Sequence, residues 1–219
     1  MTPNQVTLTR IFTAFLAVGL FSVGAHVLAV DLTAVVLTIA AIGLDGVDGY
    51  LARTRGLATT FGAKFDILGD RVVENLFFTC FAASGLISLW VPVLFFARGA
   101  LTDFLSARAG FGQNAIGKTG WGRSLVSSRT SRASYAALKC MCFCYLGFLL
   151  SVRDMAAGTA WSRWFKATGA AWPLVTAQAI TLFTVVFCIV RAIPVLWEGR
   201  RILLAHDRVP KAAAVGLSR

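Results

Sequence analysis

Charge is what this sequence has least of. Charged residues make up 14% of its 219 positions, against about 25% in soluble domains. That excludes a water-soluble core, because 57% of the chain is hydrophobic and its mean hydropathy is +0.73. Long runs are almost free of charge, as helices that cross a bilayer are. Histidine is nearly missing as well. His26 and His206 are the only two, which argues against a zinc site. The cysteines Cys80, Cys140, Cys142, Cys144 and Cys188 all lie in apolar runs. Three of them alternate across a presumed helix, so their thiols do not converge, and they read as packing groups rather than metal or redox ligands. The opening MTPNQVTLTR lacks a short basic start followed by a small-residue cleavage site, so no cleavable signal peptide is expected. Acid is scarcer than base: 10 Asp and Glu stand against 21 Lys and Arg, a net charge of +11. In a chain this apolar, the excess reads as a positive-inside bias and an attraction for anionic headgroups or phosphates. No nucleic-acid partner is expected.

The apolar runs predict six spans, near 8–30, 32–53, 62–88, 91–109, 131–152 and 173–197. The expected fold is therefore an all-α integral membrane protein with six transmembrane helices. It forms a single domain over residues 1–219, with a basic tail at about 198–219. Arg53, Arg55 and Lys64 follow the second span, and Arg108, Lys118, Arg123, Arg129 and Arg132 follow the fourth. Arg200, Arg201, Arg208, Lys211 and Arg219 follow the sixth. All of these fall on one side together with the N-terminus, so both termini are expected to be cytoplasmic. The last connection on the opposite side is the exception. It holds Arg153, Arg163 and Lys166 beside Trp161, Trp164 and Trp172, a composition suited to a helix lying at the interface.

Within this scarcity, four of the acids fall close together: Asp45, Asp48, Asp66 and Asp70, in the segment DGVDGYLARTRGLATTFGAKFDILGD. A carboxylate at membrane depth costs about 2.5–3.5 kcal/mol on insertion scales. Asp45 and Asp48 are three apart, and Asp66 and Asp70 four apart. On a helix either spacing puts the pair on one face. A short turn joins the two spans, so they are expected to be antiparallel neighbours with the four carboxylates facing each other. Unneutralised, such a cluster would repel itself and partly protonate. All-oxygen sites take magnesium, manganese or calcium. Ion pairs with Arg53, Arg55 or Arg71, or a cation-carrier site, are competing explanations. Gly49 and Gly62 permit close approach of a backbone or ligand, and Arg53 lies one turn past Gly49, placed to meet a phosphate.

The order D-x2-D-G-x2-A-R-x8-G-x3-D-x3-D, carried by Asp45, Asp48, Gly49, Ala52, Arg53, Gly62, Asp66 and Asp70, resembles the signature of the CDP-alcohol phosphotransferase family. Pro3-Asn4-x-x-Thr7-x-x-Arg10 also resembles that family's common N-terminal segment, more loosely. The resemblance implies a divalent-metal-dependent enzyme of phospholipid biosynthesis that takes CDP-diacylglycerol and an alcohol and releases CMP. It implies that Asp45, Asp48, Asp66 and Asp70 hold two magnesium or manganese ions at the cytoplasmic ends of helices two and three, and that Asp70 is the catalytic base. Gly49, Arg53 and Gly62 would line the CDP site. A homodimer in a bacterial inner membrane, with a cytoplasmic active site, is expected on the same ground. Glu74 extends the Asp70 face by one turn without a settled role.

The acceptor is less legible. Arg98 and Asp103 lie in the fourth span, and Lys118, Arg123, Arg129, Arg132 and Lys139 follow. Inward-facing Arg98, Lys118, Arg129 and Arg132 would suit a phosphorylated acceptor. Glycerol 3-phosphate is the first expectation; inositol phosphate, inositol, serine and choline stay open. Gly112–Thr119, GQNAIGKT, fits the phosphate-binding loop of nucleotide hydrolases. That motif has meaning only between a strand and a helix, and a connection of this length between two spans holds no parallel sheet.

Overall fold

The structure, a computed structural model, describes residues 2–23, 27–54, 59–108, 128–154, 163, 167 and 171–204. At 28, 47–54, 106–108, 129, 154 and 198–204 it describes the helix backbone alone. Six long helices account for nearly all of it: α1 (Pro3–Val23), α2 (Leu28–Thr54), α3 (Thr60–Ala83), α4 (Trp90–Arg108), α5 (Arg129–Asp154) and α6 (Ala171–Leu204). No strand occurs among the described residues. Four of the six, α1, α2, α5 and α6, are long and apolar enough to cross a membrane. Charge interrupts α3 (Lys64, Asp66, Asp70, Arg71 and Glu74) and α4 (Arg98, Asp103 and Arg108).

Each helix sits where an apolar run predicts one, but the first boundary moves. The expected first span began at residue 8 and ran to 30. Instead α1 starts at Pro3 and ends at Val23, and Leu28–Val30 belong to α2. Local chemistry explains the early start. The Thr2 N–H donates to Gln5 Oε1 at 2.9 Å, while the Gln5 N–H donates to Thr2 Oγ1 at 3.4 Å. This reciprocal pair is a capping box, and Pro3 occupies the first helical position, where its missing N–H costs nothing. Thr59 caps α3 by accepting the Gly62 N–H at 3.0 Å. At the other end of α3, Gly85 takes φ +74°, and the Leu86 N–H reaches back to Phe81 O at 3.1 Å. A left-handed residue of this kind, with a bond spanning six residues, stops a helix and favours glycine. Arg153 of α5 donates to Ser84 O in the same turn at 2.6 Å.

The core is aromatic. Phe77, Phe78 and Phe81 of α3 are buried against Phe95 of α4, Phe143 of α5 and Phe21 of α1. Phe78 lies 4.4 Å from Phe95 and 4.8 Å edge-on to Phe143 between ring centroids. Lipid is as apolar as these rings, so the stabilisation comes from packing rather than from removal of water. Each aromatic pair adds about 0.5–1.5 kcal/mol. Exposed Phe12, Leu16, Val36, Phe96, Phe183 and Ile189 face outward, as lipid-facing side chains do.

One packing relation departs from expectation. α2 and α3 were expected to be direct neighbours across their short turn. Instead α1 packs against both and places a side chain between their carboxylates. Small residues let it in. A Cβ on Gly62 would lie 2.9 Å from Asn4 Oδ1, and one on Gly69 would lie 2.7 Å from Thr7 Cγ2 and 2.9 Å from Arg10 Nη2. Asn4, Thr7 and Arg10, spaced by three, thus form one face of α1 seated on the glycine face of α3. α3 in turn packs on α4 and α5, and α6 closes against α4 and α5.

Candidate metal centre and adjoining basic pocket

Asp45, near the end of α2, meets Asp66 and Asp70, in the second and third turns of α3. One carboxylate oxygen from each lies within 4.8 Å of the others. All three side chains are a little under half exposed. Three hard oxygen donors this close fit a divalent cation of the magnesium or calcium class, whose ligands lie about 2.0–2.6 Å from the ion. Asp48, Gly49 and Arg53 belong to the last turns of α2, and their side chains lie outside the described residues. Gly62 opens α3 beside Asn4 and Thr59.

The structure adds a residue to this group to which sequence reasoning gave no role. Arg10 is 1% exposed. Its Nη1 donates to Asp45 Oδ1, and its Nη2 lies 3.1 Å from Asp70 Oδ1 and 3.5 Å from Asp66 Oδ1. Nη2 also donates to Asp66 O at 3.4 Å. The competing ion-pair explanation named Arg53, Arg55 and Arg71 as partners for Asp45 and Asp48; among the described residues the partner shown for Asp45 is Arg10. Arg71 is engaged elsewhere, donating from Nε and Nη2 to the two oxygens of Asp103 at 3.2 and 3.3 Å. This fork is the favoured guanidinium–carboxylate geometry. Gly99 makes room for it, since a Cβ there would sit 3.2 Å from Arg71 Cδ.

Glu74 lies one turn beyond Asp70 and is 2% exposed. It accepts from Arg71 Nη1 at 3.3 Å and from Tyr135 Oη at 3.2 Å, and pairs with Lys139 Nζ at 3.4 Å. Its role is thereby defined as the buried junction of α3 with α5. A cleft runs from Asp45 and Asp70 past Arg10 and Glu74 to Lys139, with Phe143 in its wall.

Beyond Tyr135 the charge turns positive. Arg191 of α6 lies 5.3 Å from the Tyr135 ring centroid and donates to Ser131 Oγ at 2.6 Å. Arg98 of α4 and Arg132 of α5 lie within electrostatic reach of it. Arg98 Nε is buried with no hydrogen-bond partner among the described residues. Of the four acceptor candidates, Arg98 and Arg132 lie near enough to Arg191 to act on its charge. Arg129 begins α5 with its side chain outside the described residues, and Lys118 falls outside them with the whole GQNAIGKT loop. Arg191 was missed, although a charged residue deep in an otherwise apolar span is itself a functional signal.

Fold and site define a helical membrane protein with a metal-competent acidic centre and, beyond Tyr135, a group of basic side chains. The family model for CDP-alcohol phosphatidyltransferase matches residues 1–175, and the chain belongs to that family. It is a phosphotransferase that uses a CDP-alcohol donor and a divalent metal for phospholipid-type transfer. Neither the curated proteins nor the solved structures include a significant match.

Proposed function

We propose that this enzyme transfers the phosphatidyl group of CDP-diacylglycerol to glycerol 3-phosphate. What supports the acceptor assignment is basic charge brought to one end of the bundle by three helices: Arg191 of α6 bonds Ser131, the residue before Arg132 on α5, and Arg98 of α4 lies within electrostatic reach. Like charges gathered in a protein of low dielectric repel, and a phosphate dianion offsets that repulsion while accepting several charge-assisted hydrogen bonds. An alcohol without an anionic group does not offset that charge. Tyr135 connects the pocket to the metal centre, touching Arg191 with its ring and Glu74 with its hydroxyl.

Asp45, Asp48, Asp66 and Asp70 are the proposed holders of two magnesium or manganese ions, and Gly49, Arg53 and Gly62 line the CDP site. The bound ions supply charge neutralisation of the pyrophosphate and of the departing CMP. Asp70 takes the proton of the acceptor hydroxyl as that oxygen attacks the phosphorus bearing diacylglycerol. The bond from this phosphorus to the CMP oxygen breaks, and CMP leaves. Lys139 lines the cleft beside Asp70 and meets the acceptor end, held in place by its pair with Glu74. Transfer of this kind depends on positioning and electrostatics more than on covalent participation by the protein.

We place all six helices across a bacterial inner membrane, in a homodimer, with termini and site on the cytoplasmic side. There a soluble acceptor and a lipid-linked donor meet. The assay is CMP release from CDP-diacylglycerol with magnesium or manganese, using glycerol 3-phosphate, inositol phosphate, inositol, serine and choline in parallel. Release with glycerol 3-phosphate supports the assignment. Release with inositol phosphate alone would move the acceptor to the other phosphorylated alcohol. Release with only unphosphorylated alcohols would remove the role given to the arginines.

A further inference from the structure

We propose that Arg10 is a resident counter-cation of the carboxylate centre. In the metal-free protein its guanidinium occupies a place that a divalent ion takes, and metal loading displaces it. This inference rests on the metal-centre reading above.

The oxygens themselves make the case. Arg10 engages Asp45 Oδ1, Asp66 Oδ1 and Asp70 Oδ1, and these three carboxylates are the ones that converge within 4.8 Å. A guanidinium holds carboxylate oxygens at about 2.7–2.9 Å from nitrogen, whereas a hard divalent ion draws them to about 2.0–2.6 Å from itself. A dication held by the same three carboxylates would lie close to the guanidinium, and like charges so near repel, so each weakens the other's hold. Without any cation the carboxylates would repel, separate or protonate. Arg10 prevents that, because its guanidinium stays charged at every working pH.

Its placement is built into α3. Gly69 leaves the space in which Nη2 lies, since a Cβ there would approach to 2.9 Å. The Asp66 carbonyl accepts from the same nitrogen. At 1% exposure its charge is offset in this arrangement by the carboxylates rather than by water. The residue is therefore a positioning residue: it keeps ligands from α2 and α3 assembled before metal arrives, and it weakens metal binding by competing for them.

The test is manganese binding by the purified full chain in detergent or nanodiscs, followed by electron paramagnetic resonance without CDP-diacylglycerol. Thermal unfolding is measured with and without manganese. Arg10→Gln is expected to bind manganese at least about tenfold more tightly than the unaltered protein. Its metal-free form should melt lower while the metal-loaded forms melt alike. Unchanged or weaker manganese binding overturns the proposal. So does an equal fall in melting temperature with and without metal, which is what a packing role alone predicts. If Arg10→Gln cannot be purified even with manganese, Arg10→Lys decides: it keeps the charge but cannot bridge three carboxylates. Tighter manganese binding by Arg10→Lys supports the competition, and unchanged affinity refutes it. Absence of manganese binding by the unaltered protein and the variants alike would instead sink the metal-centre reading, and this proposal with it.

Discussion

Replacing Glu74 with alanine should be among the most damaging single changes outside the aspartate centre, and the structure sets its size. The carboxylate is 2% exposed and offsets Lys139 and Arg71 while accepting from Tyr135. Removing one partner of a buried ion pair costs about 3–5 kcal/mol, because the remaining charge is left uncompensated. Two facts place the expected cost at the lower end of that range. Arg71 keeps its two bonds to Asp103, and Lys139 is 21% exposed, so part of its charge can be solvated. A loss of about 3 kcal/mol corresponds to a fall of about 6–12 °C in melting temperature for a chain of this length.

Glu74→Gln separates charge from shape. It keeps an acceptor for Tyr135 and most of the volume, and loses the offset to Lys139. The expected cost is about 1–3 kcal/mol. The assay is thermal unfolding of purified protein in one detergent at fixed lipid content, repeated for Lys139→Met and for the double variant. If Glu74 acts through Lys139, the double variant should be more stable than the sum of the single losses predicts, by about 0.5–3 kcal/mol. Full additivity would refute the coupling. A Glu74→Ala protein less than about 1 kcal/mol below the unaltered one would refute the whole account of this junction.

Three further outcomes follow from the same geometry. Asp70→Asn should lower CMP release at least about 100-fold, the usual contribution of a general base, with unfolding still cooperative; normal turnover would remove Asp70 from that role. Arg191→Gln should raise the KM for glycerol 3-phosphate about ten- to hundredfold, the equivalent of one charge-assisted hydrogen bond, and leave the KM for CDP-diacylglycerol nearly unchanged. Gly69→Ala should destabilise, because its Cβ would lie 2.7 Å from Thr7 Cγ2 and 2.9 Å from Arg10 Nη2. Overpacking of about 1–3 kcal/mol outweighs about 1 kcal/mol of helix propensity there, whereas Gly19→Ala, with nothing within 4 Å, should not destabilise in the same unfolding assay.

Much of this fold was legible because apolar runs and capping chemistry act locally. The six helices follow the six runs. The helix boundary at 23–28 was not legible from hydropathy, because the apolar run continues through it. The Thr2–Gln5 capping box, which sets the true start, was readable but overlooked. At the site, Asp45, Asp66 and Asp70 were found because their spacing carries chemistry along a single stretch of chain. Arg191, Tyr135 and Lys139 were not assigned, because they join the site only through the packing of α5 and α6. Nothing in their own neighbourhoods states which carboxylate or ring they meet.

Arg10 shows why a linear motif can hide a tertiary one. Pro3-Asn4-x-x-Thr7-x-x-Arg10 reads from sequence only as a looser resemblance to the family's N-terminal segment. Its spacing of three has a different cause. Asn4 fills the space beside Gly62, Thr7 the space beside Gly69, and Arg10 reaches past Gly69 to the aspartates. The two glycines stand seven apart, two turns of α3, and the three α1 residues span a little under two turns of the opposing helix. Two helix faces therefore match in register, and only that match brings a guanidinium to carboxylates 35 to 60 positions away. From sequence Gly62 was expected to permit close approach of a backbone or ligand and to line the nucleotide site. Its contact with Asn4 gives it a second task, which is to seat the helix that carries the counter-charge. A substitution at Gly62 would thus disturb Arg10 as well as the donor site, and its effect on turnover could not be assigned to CDP binding without a parallel measurement of metal affinity.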